Sequence, residues 1–213
     1  MTGVLICGGE VHDYQGCKGI LPEKDLIIIC ADGGARHARE LQLVPNLIMG
    51  DMDSIEPMLL DEMSKSIKTE IFPTEKDFTD SELIAVKAVE LGCTSLIFIA
   101  AWGSRMDHSL ANIMLMERLA LDGCDCIMTD GVNFIYSVTK NITLDIKNAA
   151  AMVSLLPSTQ IVKGVSTRGL KYSLNKKDMR RGENIGVSNY LVEENAEISI
   201  EEGILLVVLS PKD

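Results

Sequence analysis

The chain has 213 residues, of which 46% are hydrophobic and 24% charged, and its 20 basic and 31 acidic side chains give a net charge of −11. This composition is typical of a globular protein and excludes a mainly disordered chain, and the negative charge disfavours binding to a nucleic-acid backbone. The longest apolar runs, Leu26–Ala31 and Ile204–Leu209, are far shorter than the roughly 20 residues of a membrane-spanning helix. No basic stretch precedes the first apolar run, so we expect no secretory signal and a cytoplasmic location.

The six cysteines show no C-x-x-C pair, and only Cys124 and Cys126 lie close together in sequence. A zinc site or a disulfide framework would require a different spacing. We therefore expect buried free thiols in a reducing compartment.

In the first part of the chain, short apolar runs alternate with segments of helical periodicity. The predicted strands are Gly3–Cys7, Leu26–Ala31, Leu47–Met49, Ser95–Ala101 and Asp125–Thr129. The predicted helices are Ala35–Leu41, Pro57–Ser66, Asp80–Leu91 and Met106–Leu121. The strands are apolar on both faces, as in a sheet that is covered on both sides. This alternation predicts an α/β fold with a doubly wound, mostly parallel sheet.

From Asn133 onward the helical period disappears and short, turn-bounded apolar runs remain. The predicted strands are Phe134–Val138, Ile142–Asp145, Met152–Leu156, Ile161–Val165, Ile185–Val187, Glu197–Ile200 and Ile204–Leu209. They predict a C-terminal all-β sandwich. The domain boundary is expected near Asp130–Asn133, which gives an α/β domain of residues 1–131 and a β-sandwich of residues 132–213.

Several aspartates of the first part lie where predicted strands end. Asp32 follows the second strand, and Asp51 and Asp53 follow the third. In open α/β sheets, ligands bind outside the carboxyl ends of the strands. Two converging carboxylates repel each other unless a cation lies between them, and oxygen ligands without histidine or cysteine favour Mg²⁺ or Mn²⁺ over Zn²⁺. The pattern therefore predicts a hard-metal site at this edge of the sheet.

Two further aspartates, Asp77 and Asp80, lie where a helix is predicted to begin. Thr79 and Glu82 have the spacing of a capping box, which places the first helical residue at Asp80. Taken alone, these carboxylates would only complement the helix dipole. Beside Asp51 and Asp53 they favour the metal site.

Other segments provide candidate contacts to an anionic ligand. Ser104 is the predicted N-cap of the helix that follows, and Arg105 with the free amides there could hold a phosphate. Backbone of the pairs Gly8-Gly9 and Gly33-Gly34 could approach a ligand closely. Neither a P-loop nor a G-x-G-x-x-G motif is present.

These segments resemble, in order, the motifs of the thiamine pyrophosphokinase family. The matching stretches are Ala31–Ala35, Pro45–Ser54, Asp77–Asp80, Arg105–His108 with Asn112, Gly169–Tyr172 and Val187–Asn189. The chain departs from the usual pattern at Ser104, where the family usually has glycine, and at Arg36, where it often has asparagine.

The resemblance implies an enzyme that transfers a pyrophosphoryl group from ATP to the hydroxyl of thiamine, giving thiamine diphosphate and AMP. It implies a Mg²⁺-dependent homodimer with sites built from both subunits, an ATP-binding catalytic domain and a C-terminal thiamine-binding domain. The metal ligands it implies are Asp51, Asp53 and Asp80. The nucleotide contacts it implies are Asp32, Arg105, Asp107 and His108. The glycines at 8, 9, 33 and 34 are further candidates, because their backbone could approach the nucleotide closely. Ser188 and Asn189 would contact thiamine, with Tyr190 the nearest aromatic candidate to stack on it.

Three questions stay open at the level of sequence. Asp77 or Asp107 could accept the proton of the thiamine hydroxyl, and the residues do not distinguish them. A phosphohydrolase with Asp51 as nucleophile is the first alternative, since it would use the same D-x-D loop, Asp51-Met52-Asp53. A non-catalytic nucleotide-binding module is the second, although binding alone does not require so many carboxylates.

Overall fold

A computed structural model describes residues 1–55, 58, 67–72, 78–145 and 151–212. The chain divides into two compact units, one of Met1–Leu115 with Cys126–Val132 and one of Met116–Asp125 with Asn133–Asp213. All six cysteines are buried free thiols, as predicted. Among the described residues, no helix is both long enough and apolar enough to cross a membrane.

The first unit is built on a parallel sheet. Its strands are β1 (Thr2–Ile6), β2 (Leu26–Ala31), β3 (Leu47–Gly50), β4 (Lys68–Ile71), β5 (Ser95–Ile99) and β6 (Asp125–Thr129). Its helices are α1 (Tyr14–Gly19), α2 (Ala35–Glu40), α3 (Asp80–Glu90) and α4 (Met106–Leu121), the last of which ends in the second unit. The strand order is β6-β5-β1-β2-β3-β4, and β1 pairs in parallel with both β2 and β5. The order therefore reverses between β1 and β5, where doubly wound sheets form a crevice at the carboxyl ends of their strands.

The core of this sheet is apolar on both faces. Val4, Leu5 and Ile6, which are consecutive in β1, are each 0% exposed. Because successive strand residues point to opposite faces, helices or loops must cover both sides of β1. Ile84 and Ala88, one helical turn apart in α3, are also fully buried. This confirms the predicted doubly wound architecture.

The second unit is antiparallel. Its strands are β7 (Phe134–Val138), β8 (Asn141–Asp145), β9 (Ala151–Pro157), β10 (Ile161–Arg168), β11 (Lys177–Arg180), β12 (Asn189–Tyr190), β13 (Asn195–Ser199) and β14 (Leu205–Pro211). They form two layers in the orders β12-β9-β14-β7 and β11-β10-β13-β8. One apolar cluster takes side chains from both layers, for example Val153 and Val207 from one and Val162 and Ile198 from the other. The predicted β-sandwich is thus confirmed.

Three local predictions need correction or lie outside the described residues. Ile185–Val187 is a turn and not a strand; the Leu155 amide donates a 2.9 Å hydrogen bond to the Gly186 carbonyl, and the chain then turns at Ser188, where φ is +60°. Helix α4 begins at Met106, so Arg105 and not Ser104 occupies the cap position, and its carbonyl accepts the Ser109 amide. Of the predicted helix Pro57–Ser66, only Met58 is among the described residues.

Candidate active site

A cleft of about 780 Å³ lies at the carboxyl ends of the parallel strands. Its lining comes from the segments that follow β1, β2, β3 and β5, together with the starts of α3 and α4. Of the predicted site residues, the described lining includes Gly8, Gly9, Asp32, Gly33, Asp51, Asp80, Arg105 and His108. The structure therefore brings residues from across the first 112 positions into one crevice.

Three carboxylates converge beside this cleft. Oxygen atoms of Asp32, Asp51 and Asp53 all lie within 4.8 Å of one another. Gly50 permits this approach, because a Cβ there would lie 2.8 Å from the Cβ of Asp32. Met52, between the two other aspartates, has a φ of +65°, a left-handed conformation that turns the backbone within the D-x-D loop. The loop geometry thus directs the carboxylates toward a common point.

Asp32 is the buried member of this group. Its oxygens accept hydrogen bonds from the backbone amides of Gly33, at 2.6 Å, and Ser54, at 3.4 Å. Burial raises the pKa of the Asp32 carboxyl against the opposing effect of these amides, and the negative charge of Asp80 and a side-chain hydrogen bond with Asp51 raise it further. A cation bound at this point would lower the pKa of Asp32, since it favours the charged carboxylate.

Helix α3 begins at the cleft as the sequence predicts. Thr79 is its N-cap, and the Thr79 hydroxyl accepts the Glu82 amide at 3.3 Å. Asp80 then lies in the first turn and lines the cleft. It is not a member of the three-carboxylate cluster, although its charge acts on Asp32. Asp77 lies outside the described residues.

The loop after β1 forms another wall. Hydrogen bonds from the Gly9 amide to the Ala100 carbonyl and from the Glu10 amide to the Trp102 carbonyl fix it against the loop after β5. A Cβ on Gly9 would collide with those two carbonyl oxygens, so glycine is required here by packing between the loops. The Gly9 carbonyl in turn lies 3.0 Å from both the Arg36 Nη2 and the His37 Nε2.

The wall formed by the start of α4 contains an internal ion pair. Arg105 donates from Nη2 to Asp107 at 2.7 Å and from Nε to the same carboxylate at 3.3 Å. These bonds lower the pKa of Asp107 to about 2. Arg105 and His108 line the cleft, whereas Asp107 is not in its lining. Asn112 is buried and donates to the Ala101 carbonyl at 2.6 Å, which holds the loop after β5.

In the second unit, the structure brings together the two motifs that the sequence separates by 17 residues. The Asn189 carboxamide accepts the Tyr172 amide at 3.0 Å and donates to the Tyr172 carbonyl at 2.8 Å. The rings of Tyr172 and Tyr190 meet edge to face with centroids 6.3 Å apart. Tyr172 is 63% exposed and Tyr190 is half-buried, and the Ser188 amide donates to the Ser154 hydroxyl at 3.1 Å. Asn189 therefore holds the backbone that carries an exposed aromatic ring.

For several residues that line the cleft, the sequence predicts no ligand contact. Arg36 and Trp102 are two of them, with Glu10, Ser54 and Ser81. These residues lie next to the Gly33-Gly34 pair, the end of β5 or the D-x-D loop. Their positions in the sequence could therefore have indicated a role at the cleft. Tyr172 belongs to the Gly169–Tyr172 motif, which is the signal that could have assigned it a role.

Comparison with known families agrees with this arrangement. A model described as the thiamin pyrophosphokinase catalytic domain matches residues 20–128, just over half of the chain, and one described as its vitamin B1 binding domain matches residues 141–205. The chain belongs to the thiamine pyrophosphokinase family. It is accordingly an enzyme that transfers a pyrophosphoryl group from ATP to thiamine, and the phosphohydrolase and non-catalytic alternatives are not favoured.

Individual relatives give the same result across nearly the full length. Thiamine pyrophosphokinase of Bacillus subtilis (strain 168) is 24% identical over 214 residues, which cover 97% of each chain. Thiamine pyrophosphokinase 1 of Oryza sativa subsp. japonica is 22% identical and covers 89% of this chain and 81% of its own.

Solved structures of the thiamine pyrophosphokinase family share the fold. A crystal structure of thiamine pyrophosphokinase from Bacillus subtilis superposes with a TM-score of 0.87 at 23% identity, and 99% of each chain is covered. Thiamin pyrophosphokinase from Candida albicans superposes with a TM-score of 0.80 at 16% identity and covers 98% of this chain and 88% of its own. The two-part architecture is therefore that of this family.

Proposed function

We propose that the cleft of the first unit binds the triphosphate of ATP together with Mg²⁺, and that transfer to thiamine takes place there. The observation that carries the proposal is the convergence of Asp32, Asp51 and Asp53 within 4.8 Å beside a cleft of sufficient volume for a nucleotide. Three carboxylates this close repel one another without a cation. An all-oxygen donor set fits Mg²⁺, or Mn²⁺ in its place, and does not fit Zn²⁺.

Asp51 and Asp53 are the proposed metal ligands on both sequence and geometry. Asp32 joins them through its position in the cluster, and Asp80 remains a proposed ligand from the family resemblance, with its charge close enough to act on Asp32. When bound to these carboxylates, the metal would neutralise negative charge on the phosphates of ATP. The capped start of α3 and the left-handed turn at Met52 preorganise the carboxylates that hold it.

The reaction forms a bond between the thiamine hydroxyl oxygen and the β-phosphorus of ATP. The bond from that phosphorus to the α–β bridging oxygen breaks, AMP leaves, and the hydroxyl proton passes to a base. Asp107 is bonded to Arg105 and does not line the cleft, which disfavours it in this role. We keep Asp77 as the proposed base and assign Asp107 to the orientation of Arg105 beside the nucleotide, with His108.

For thiamine, we propose recognition by the C-terminal domain of residues 132–213, with the ATP-binding domain formed by residues 1–131. Ser188 and Tyr190 are the proposed contacts, and Asn189 supports them by fixing the backbone at Tyr172. An exposed tyrosine ring beside a second aromatic ring suits a flat, cationic heterocycle.

We also propose that the enzyme is a homodimer with sites shared between subunits. Helix α4 supports this, since Met106, Leu110 and Met114, at intervals of four residues, are 65%, 51% and 57% exposed in the single chain. A continuous apolar stripe of this kind is typical of an interface. Sedimentation analysis of the wild type and of Met114→Glu tests it, and a wild-type monomer would contradict it.

The test of the catalytic proposal is product identification. We expect the purified chain, incubated with ATP, Mg²⁺ and thiamine, to yield AMP and thiamine diphosphate in equal amounts. Omission of thiamine is the control, and it should stop AMP formation. Release of inorganic phosphate without thiamine would instead support a phosphohydrolase. Absence of any turnover would support a binding module.

A further inference from the structure

A second cation of the cleft, Arg36, lies outside the residues that the sequence assigned to the site. It is the second residue of α2, its side chain is exposed, and it lines the cleft. Its Nη2 donates to the carbonyl of Gly8 at 2.7 Å and to that of Gly9 at 3.0 Å. We propose that Arg36 binds the polyphosphate chain of ATP directly, an inference that rests on the proposed assignment of the cleft to ATP.

The charges of the cleft favour this role. Asp32, Asp51, Asp80 and Glu10 line it, and its described lining contains two arginines, Arg36 and Arg105, together with His108. Arg105 is neutralised by its bonds to Asp107. Among the described residues, the hydrogen-bond acceptors of Arg36 Nη2 are two neutral carbonyl oxygens, and its Nε lies 3.3 Å from Nε2 of His37. Among the described residues, Arg36 is therefore the arginine of the cleft whose hydrogen bonds form no ion pair, which leaves it able to bind an anion.

The geometry holds this guanidinium in place without using all its donors. Arginine has five N–H groups, and the two carbonyl contacts use those of one terminal nitrogen. The His37 Nε2 lies 3.0 Å from the Gly9 carbonyl and supports the same loop, while its Nδ1 lies 2.9 Å from the Tyr14 hydroxyl. No hydrogen bond among the described residues involves Nη1 of Arg36, so this nitrogen can donate to phosphate oxygens.

The test compares nucleotide binding by Arg36→Met, Arg36→Gln and Arg39→Met with binding by the wild type. Arg39 is a matched control because it is an exposed arginine on the same helix and does not line the cleft. The probes are the α,β-methylene analogue of ATP with Mg²⁺, measured by calorimetry, and adenosine, measured by competition. Circular dichroism and thermal unfolding report whether each variant is folded.

We expect Arg36→Met to weaken binding of the ATP analogue by roughly tenfold to a hundredfold, the usual effect of losing hydrogen bonds to a charged group, with adenosine binding unchanged. Arg39→Met should match the wild type. If Arg36→Met does not fold, Arg36→Gln decides the question, because its amide can still donate to the loop while the charge is absent.

Equal losses for the ATP analogue and for adenosine would overturn the proposal, since Arg36 would then act only by shaping the loop. Unchanged affinity for the analogue in folded variants would overturn it as well. If the wild type itself binds no ATP analogue, the assignment of the cleft fails and the inference fails with it. Failure of the assignment of the cleft to ATP can therefore be distinguished from failure of the Arg36 proposal.

Discussion

Among single residues, Asp53 offers the clearest separation of catalysis from stability. It is the exposed member of the carboxylate cluster, and its described side-chain contact is with the Ser54 hydroxyl, which donates at 2.8 Å. We expect Asp53→Asn to lower kcat by roughly a hundredfold or more, as the loss of an electrostatic group at a reacting phosphate does. Removing one of three repelling charges should leave the melting temperature unchanged or slightly raised. Steady-state kinetics and thermal unfolding measure both.

The control for Asp53→Asn is Asp122→Asn, because Asp122 is an exposed aspartate outside the cleft lining. It should leave kcat unchanged. If Asp53→Asn unfolds the protein while activity per folded molecule persists, Asp53 is a structural residue.

Asn189 is a second residue whose substitution has a specific expected effect. Its carboxamide makes two hydrogen bonds with the Tyr172 backbone and is buried. Asn189→Ala leaves those groups without partners, so we expect a loss of about 1–3 kcal/mol in the free energy of unfolding. The loosened Tyr172 segment should raise KM for thiamine and largely spare KM for ATP. Kinetics with each substrate varied in turn would contradict this if the KM for ATP rises instead.

At the scale of residues, the sequence predicts that side chains converge where strand topology alone places them. Asp32, Asp51 and Asp53 follow parallel strands, whose carboxyl ends share one edge, so their convergence follows from strand order. Arg36 could not be assigned in this way. Its orientation depends on the Gly8 and Gly9 carbonyls of a distant loop, and no sequence period encodes that contact.

At the scale of elements, the N-cap of α3 gives a prediction for stability. The Thr79 hydroxyl accepts the Glu82 amide, which would otherwise lack a helical partner. We expect Thr79→Ala to lower the free energy of unfolding by about 1 kcal/mol and Thr79→Ser to retain most of it. Urea titration of both variants measures the difference. Equal stability of Thr79→Ala and the wild type would mean that the hydroxyl does not cap the helix.

The contact of α2 with the loop after β1 predicts a pH dependence. Burial lowers the pKa of His37, and the nearby positive charge of Arg36 lowers it further, so the native state keeps this imidazole neutral where the unfolded chain protonates it. The unfolded state then binds more protons below the ordinary histidine pKa of about 6.5, and stability falls as pH decreases through that value toward the native pKa. We expect His37→Gln to flatten the fall between about pH 7 and 5.

Urea titrations of the wild type and of His37→Gln across that range test the prediction. A wild-type slope in His37→Gln would show that other groups take up the protons.

The strands and the helix that the sequence did not predict contain few apolar residues. Strand β4, Lys-Thr-Glu-Ile, contains one apolar residue, and β11, Lys-Asp-Met-Arg, also contains one. Helix α1 is six residues long with two glycines, so no periodicity could develop. The opposite error occurred at Ile185–Val187, where the sequence predicts a strand. This apolar run forms a turn, and its hydrogen bond to Leu155 does not continue into a strand ladder. Long, strongly periodic elements such as α3 and α4 were placed within a residue of their ends.

For the whole molecule, the distribution of apolar side chains determines what metal removal does. Both units have their own apolar cores, and the carboxylate cluster belongs to neither. The fold therefore does not depend on an ion, unlike small domains whose metal supplies the folding energy.

We expect excess EDTA to abolish turnover while the circular dichroism spectrum and cooperative unfolding persist. Added Mg²⁺ should restore activity and raise the melting temperature slightly, since a ligand that binds only the native state stabilises it by mass action. Full turnover in EDTA would contradict the metal proposal, and unfolding in EDTA would contradict the independence of the fold.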